Sequence, residues 1–375
     1  MHYFICAGEP SGDLHAAKLI EEIKIADSGA RFTFLGGDLM TSAAGCDPVI
    51  HYSRMAFMGF SEVLRNLRTI GSNITLAKKA LEDSGADCFI AVDYPGFNLK
   101  LAKFAFSKDI PVYWYISPKV WAWKEYRVKS LRKYVRKMLC ILPFEVEFYR
   151  KHRMEAVYVG NPSLEEIDAR LREAPSKEQF CRQHCLDPGL PVLALVPGSR
   201  KGEIRNNLPI MAQVAEKHPE LQAVIAGAPG RTAADYTGAG EIPVVSGYTF
   251  DLMAIADEAL VTSGTATLEC ALAGTPQVVC YRANGSRLSY NLMKMILKIP
   301  FVSLPNLIAG KKVISEMLVH LCTVEGVDEE LTKILPGTPG RARMLEGYAE
   351  IRARLGEHGA AQRAAEVITT DLKRK

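Results

Sequence analysis

Short β-branched or aromatic runs alternate along this chain with longer stretches of helical spacing. In the first half the apolar runs are YFICAG, RFTFLGG, DCFIAVD, VYWYIS, KMLCIL and AVYVG. In the second half they are PVLALVPG, QAVIAG, IPVVSG, EALVTS and QVVCYR. Strands that alternate with amphipathic helices predict parallel sheets with helices on both faces. Around 162–190 the alternation lapses into a polar helical stretch, PSLEEIDARLREAPSKEQFCRQHCLDPGL, which marks a boundary. From Ser315 onward no strand signal returns, and the rest, ending AAQRAAEVITTDLKRK, reads as helices. The expectation is an α/β chain of two Rossmann-like domains facing a cleft. The first spans 1–162 and the second 163–341, and helices from about 342 to 375 pack back on the first.

Composition narrows this picture. A chain of 375 residues is too long for one ordinary core and suits two domains. Apolar residues at 48% and charged residues at 23% describe a soluble globular protein. A net charge of +4 is too small at this length to mark a nucleic-acid partner. The nine cysteines are odd in number and scattered, with no CxxC pair, and Cys181 with Cys185 lacks a matching pair at zinc spacing. They read as reduced core thiols of a cytoplasmic protein, with no metal site. The start, MHYFICAGEP, has no basic segment and breaks at Pro10, unlike a signal peptide. No apolar run approaches the roughly 20 residues that span a bilayer. The chain is expected to be soluble or to sit on a membrane surface.

In open α/β sheets ligands bind beyond the carboxyl ends of strands, so the joints after the strands matter most. SGTATLE, residues 263–269, follows the run EALVT and opens a helix. A helix start carries unpaired N–H groups and partial positive charge, which suit a phosphate. Ser263 and Thr265 add hydroxyls, Gly264 allows close approach, and Glu269 one turn on can accept ribose hydroxyls. The alternative is that Ser263 merely caps the helix. A second such joint is PGSRKGEI, residues 197–204, where Gly198 and Ser199 turn the chain and Arg200 offers a planar fork to a diphosphate. Neither GxxxxGK[ST] nor GxGxxG occurs, and GEPSGD follows the first strand instead. A nucleoside diphosphate carrying some other group fits better than a dinucleotide.

The first half supplies carboxylates. AGEPSGDLH places Glu9, Asp13 and His15 near one joint, and AVDYPGFN places Asp93 at another, followed by Asn98. Asp93 is a candidate general base or a helix cap. As a base it needs partial burial, because a solvated Asp titrates near about 3.9. ISPKVWAWKEYR brings Trp121 and Trp123, and a basic run from Lys124 to Lys137 follows, opposed only by Glu125. That run is a solvated helix face or a site for an anionic head group. MAFMGFSEVLRNLRTIGSNI places Phe60, Val63, Leu64, Leu67, Ile70 and Ile74 at helical spacing. These residues form core, or a patch beside Arg65 and Arg68 that meets a bilayer or acyl chains.

The motifs GEPSGD, VDYPGFN, SPKVWAW, LPFE (142–145), PGSR, SGTATLE and SLPN (303–306) occur in this order along nearly the whole chain. In this the chain resembles the lipid-A-disaccharide synthases. The resemblance implies an inverting glycosyltransferase of GT-B fold that needs neither metal ion nor other cofactor. Its substrates would be UDP-2,3-diacylglucosamine and 2,3-diacylglucosamine 1-phosphate (lipid X). The products would be a β-1,6-linked disaccharide 1-phosphate and UDP, made on the cytoplasmic face of the inner membrane of a Gram-negative bacterium. A homodimer is compatible with it, and nucleic acid is not a partner.

By the same resemblance Gly198, Ser199, Arg200, Ser263, Gly264, Thr265, Glu269 and Asn306 hold UDP. Asp93 falls on the family's essential aspartate, with Glu9, Asp13 and His15 as rival bases. Asn98, Trp121, Phe60, Leu64, Leu67 and Ile70 belong to the acceptor and membrane side. VDYPGFN and GNPSLEE depart from the common IDAPDFN and GHP. Asn161 stands where a histidine is usual and, unable to exchange a proton, has no catalytic role here. The rivals are a UDP-sugar 2-epimerase-like enzyme of the same fold and a non-catalytic lipid-binding protein.

Overall fold

A computed structural model describes residues 1–55, 67–282 and 300–374 of the chain, which divides into two compact units. One comprises Met1–Pro162 together with the chain from Glu357 onward, and the other is Ser163–Gly356.

The first unit carries seven parallel strands: β1 (His2–Ala7), β2 (Arg31–Gly36), β3 (Ile50–His51), β4 (Cys88–Val92), β5 (Val112–Tyr115), β6 (Lys137–Cys140) and β7 (Ala156–Tyr158). Their order is β3-β2-β1-β4-β5-β6-β7. The register sets Ala7 beside Val92 and Val92 beside Tyr115, so β1, β4 and β5 end together. Alternate side chains feed two cores. Phe4, Cys6, Phe89, Ala91 and Trp114 pack on one face. Tyr3, Ile5, Ile90, Val92, Tyr113 and Tyr115 pack on the other. Burial on both faces is why these strands read as unbroken apolar runs.

The second unit carries six parallel strands: β8 (Val192–Val196), β9 (Gln222–Gly227), β10 (Val244–Ser246), β11 (Glu258–Thr262), β12 (Gln277–Tyr281) and β13 (Ser315–Leu318). Their order is β10-β9-β8-β11-β12-β13. Two expectations are corrected here. A strand does follow Ser315: β13 pairs with β12 at the sheet edge, and its half-exposed SEML lacks the apolar run of a central strand. The helix Pro339–Leu355 stays in the second unit, where Gly347 lies against Val313 and the Tyr348 hydroxyl donates to the Thr275 carbonyl at 3.1 Å.

Only the helix Ala360–Lys373 returns to the first unit. Its Ala364, Ala365, Ile368 and Leu372 join the core formed with the helix Pro10–Ala26. Asp371 anchors it, accepting from the Tyr113 hydroxyl at 2.7 Å, Arg136 Nε at 2.5 Å and Lys137 Nζ at 2.9 Å. The cysteines are free thiols and most are buried, but Cys46 and Cys185 are exposed because they sit in connections outside the strands. No helix among the described residues is long and apolar enough to cross a membrane.

Candidate active site

In the second unit the joints after β8 and β11 line one cavity of about 460 Å³. Gly198, Ser199, Arg200, Ser263, Gly264, Thr265 and Glu269 all face it, as the carboxyl-end rule predicts. Gly198 has φ +107, and a Cβ there would meet the Glu203 carboxylate at 2.6 Å, so glycine is required. Arg200 precedes the helix Lys201–Glu216, and its side chain is 80% exposed. The helix Ala266–Ala273 has no side-chain cap, so Ser263 does not serve as one. A Cβ at Gly264 would meet nothing within 4 Å, which leaves the backbone open to a ligand. Burial raises the carboxyl of Glu269, and the nearby positive charge of Arg170 opposes this.

Further residues line the cavity, Arg170 and Glu203 among them. Arg170 lies in the polar stretch between the two sheets' sequences, and its guanidinium stacks over the Phe250 ring at 4.1 Å. Glu203 closes on the loop that carries Arg200. Asn306, by contrast, is fully buried away from the cavity lining. Its amide donates to the Ile314 carbonyl and Glu316, both at 2.9 Å. Its oxygen accepts from Val313 N at 2.7 Å and Ile314 N at 2.9 Å. All of its polar capacity holds that loop, so it is a structural pin.

In the first unit Asp93 sits immediately after β4 with φ +42, and Tyr94 follows with φ +46. Ile116, just after neighbouring β5, has φ +65. Three non-glycine residues in the left-handed region at two adjacent strand ends are held by their surroundings. Asp93 N donates to the Tyr115 carbonyl at 3.0 Å. The Tyr94 hydroxyl donates to the Met55 carbonyl at 2.7 Å, and its ring lies where a Cβ on Gly8 would stand, 2.3 Å away. Burial lifts the Asp93 carboxyl to about 6, the charge of Glu9 adds to the rise, and Lys119 opposes it. Asp93 does not cap the helix Pro95–Phe106; the cap position is Tyr94, which makes no side-chain cap bond.

The other first-unit candidates separate by burial. Glu9 stands half-buried before the helix Pro10–Ala26, and His15 lies half-buried on that helix. Asp13 is buried and accepts from the backbone N–H groups of Gly37 at 2.6 Å, Leu39 at 3.1 Å and Met40 at 3.3 Å. It holds the start of the helix Asp38–Ala44, so its carboxylate is engaged with that backbone. Asn98 is also fully buried, and its amide bridges the carbonyls of Cys6, Val92 and Asp93. It therefore holds the β1 and β4 ends together and positions Asp93 instead of meeting an acceptor.

Trp121 is buried as well, its indole spent on Glu145, and Trp123 is the exposed indole at 58%. Within the basic run, Arg136 and Lys137 are committed to Asp371, so the run is not one solvated face. Phe60, Leu64 and the side chain of Leu67 lie outside the described residues, and Ile70 is half-buried on the helix Leu67–Ser84.

Residues 3–365 match the sequence profile of the lipid-A-disaccharide synthetase family. The lipid-A-disaccharide synthase of Myxococcus xanthus is 39% identical over 97% of this chain and 96% of its own length. That of Syntrophus aciditrophicus is 37% identical over 99% and 97%. Among solved structures, the UDP-GlcNAc 2-epimerase of Neisseria meningitidis bound to UDP-GlcNAc superposes with a TM-score of 0.65 at 15% identity, covering 100% of both chains. The calicheamicin glycosyltransferase CalG4 gives 0.60 at 16%, covering 100% of this chain and 98% of its own. At those identities the likeness is one of fold, two Rossmann-like domains of GT-B type.

Proposed function

This chain belongs to the lipid-A-disaccharide synthase family of glycosyltransferases, and we propose that it joins UDP-2,3-diacylglucosamine to lipid X with inversion, using Asp93 as general base. The observation that carries the donor half is the single cavity shared by the PGSR and SGTATLE joints. A diphosphate there would meet the Arg200 fork and the helix start at Gly264 and Thr265, with the ribose hydroxyls on Glu269.

On the acceptor side Asp93, ionised, takes the proton of the 6-hydroxyl. That oxygen attacks the anomeric carbon from the face opposite UDP. The bond from the anomeric carbon to the diphosphate breaks, and UDP leaves with the electron pair. Arg200 and the helix start stabilise the charge that gathers on the leaving diphosphate. A carboxyl at about 6 is mostly ionised at neutral pH and is a stronger base than a solvated aspartate.

The acyl chains of both substrates place the reaction at a bilayer, and the reading includes peripheral association with the cytoplasmic face of the inner membrane. Exposed Trp123 and Tyr126 beside Lys124, Arg127 and Lys129 support it, since interfacial aromatics with basic neighbours favour an anionic lipid surface. A thin-layer assay with UDP-diacylglucosamine and lipid X, with and without chelator, tests the reaction. Disaccharide 1-phosphate and UDP in both lanes are expected. An epimerised nucleotide sugar, or no UDP release on mixing, would replace this reading with one of its rivals.

A further inference from the structure

Glu203 has no part in the mechanism above, yet its carboxylate lies on the loop that carries Arg200. Oε2 accepts from the backbone N–H groups of Ser199 and Arg200, each at 3.2 Å. Oε1 accepts from Arg200 Nη1 at 2.9 Å. The carboxylate also lies against Gly198, the position where no Cβ fits. A helix cap alone accounts for the Oε2 bonds. It does not account for the second oxygen, which holds the guanidinium that faces the cavity.

We propose that Glu203 is a positioning residue that competes with the donor's diphosphate for Arg200. The proposal rests on the reading of this cavity as the diphosphate site. On binding, the guanidinium exchanges a carboxylate oxygen for phosphate oxygens while Oε2 keeps the loop in shape. On release it returns. An internal anion of this kind weakens the hold on UDP, which is the product as well as part of the donor.

Glu203→Gln separates the two oxygens. The amide oxygen can still accept from Ser199 N and Arg200 N, while the amide nitrogen, a donor, cannot hold Arg200. Calorimetric titration of UDP and of uridine into wild type, E203Q, R200A and the double variant is the test. UDP should bind E203Q about two- to fivefold more tightly, the scale of one exposed charged pair. Uridine affinity should not change, and E203Q should have no effect in the R200A background. Glu203→Asp, which withdraws the carboxylate by one methylene, should shift UDP affinity in the same direction and serves if E203Q melts early.

Unchanged or weaker UDP binding in folded E203Q and E203D overturns the proposal. So does tightening that persists without Arg200, which would be plain removal of a negative charge, or an equal shift for uridine, which would be loop rearrangement. If wild type binds no UDP, or R200A binds it as wild type does, the diphosphate reading itself falls and this proposal with it.

Discussion

The indole N–H of Trp121 donates to the Glu145 carboxylate at 3.0 Å, and both side chains are buried. The other carboxylate oxygen accepts from Leu142 N at 3.1 Å and Ile141 N at 3.3 Å. Two distant motifs, SPKVWAW and LPFE, thus meet in one buried contact. Glu145→Gln can satisfy only one side, so it should lower stability by about 1–3 kcal/mol in chemical denaturation. Burial lifts this carboxyl from an ordinary 4.5 to about 7, so the fold favours its protonated form. Its contribution is full below pH 4.5 and is lost as pH rises toward 7. Wild-type stability should fall across that window relative to the Gln variant.

Asp93→Asn should bind UDP normally and lose about 100-fold or more in turnover, the scale of a general base. Since the carboxyl titrates near 6, wild-type kcat/KM should rise with pH through about 6 and then level. Initial rates and UDP titration of the Asn variant check the first, and pH–rate profiles of wild type and of Glu9→Gln check the second. Near-normal turnover in the Asn variant would return the base to Glu9 or His15.

Gly8→Ala should displace the Tyr94 ring, which lies 2.3 Å from the new Cβ, and shift the turn that carries Asp93. A cost of about 1–3 kcal/mol is expected, with a drop in turnover. Adding Tyr94→Ala removes the clash, so the double variant should recover much of the loss. The measurement is a double-mutant cycle in thermal melting and initial rate.

Arg200→Ala should weaken UDP binding about tenfold or more while leaving the melting temperature near wild type, because its side chain is mostly exposed. Calorimetry gives the affinity and a melting curve gives the control.

Asp371→Asn should loosen the helix Ala360–Lys373. The bonds from Arg136, Lys137 and Tyr113 hold the Asp371 carboxyl far below its ordinary 3.8. A depressed carboxyl contributes stability above pH 3.8 that is lost as pH falls through its folded value. The variant should be less stable than wild type at neutral pH, and the gap should close as the acid limb proceeds. Urea midpoints from pH 7 downward check this.

The strands were legible because most of them are buried on both faces. β13 was not, since an edge strand opening with Ser315 and Glu316 carries no apolar run. The two joints that share the second unit's cavity were legible because small residues and an arginine stand at the ends of β8 and β11. Their helpers were not: Glu203 reads as an ordinary helix-start acid, and Arg170 stands about 30 residues away in a polar stretch. Asn98, Trp121, Asn306 and Asp13 show a different limit. Their polar atoms suit a ligand or a backbone equally, and only burial decides which of the two they serve.

The first unit is made of two pieces of chain with the whole of Ser163–Gly356 between them. During synthesis, therefore, the apolar face of the helix Pro10–Ala26 waits for Ala364, Ala365, Ile368 and Leu372 until the rest of the first unit's strands and the whole of Ser163–Gly356 have left the ribosome. The second unit, contiguous in sequence, can fold meanwhile as an independent body. A message truncated before Glu357 would leave the second unit intact and the first with an open hydrophobic flank, the kind of surface that quality-control chaperones and proteases bind.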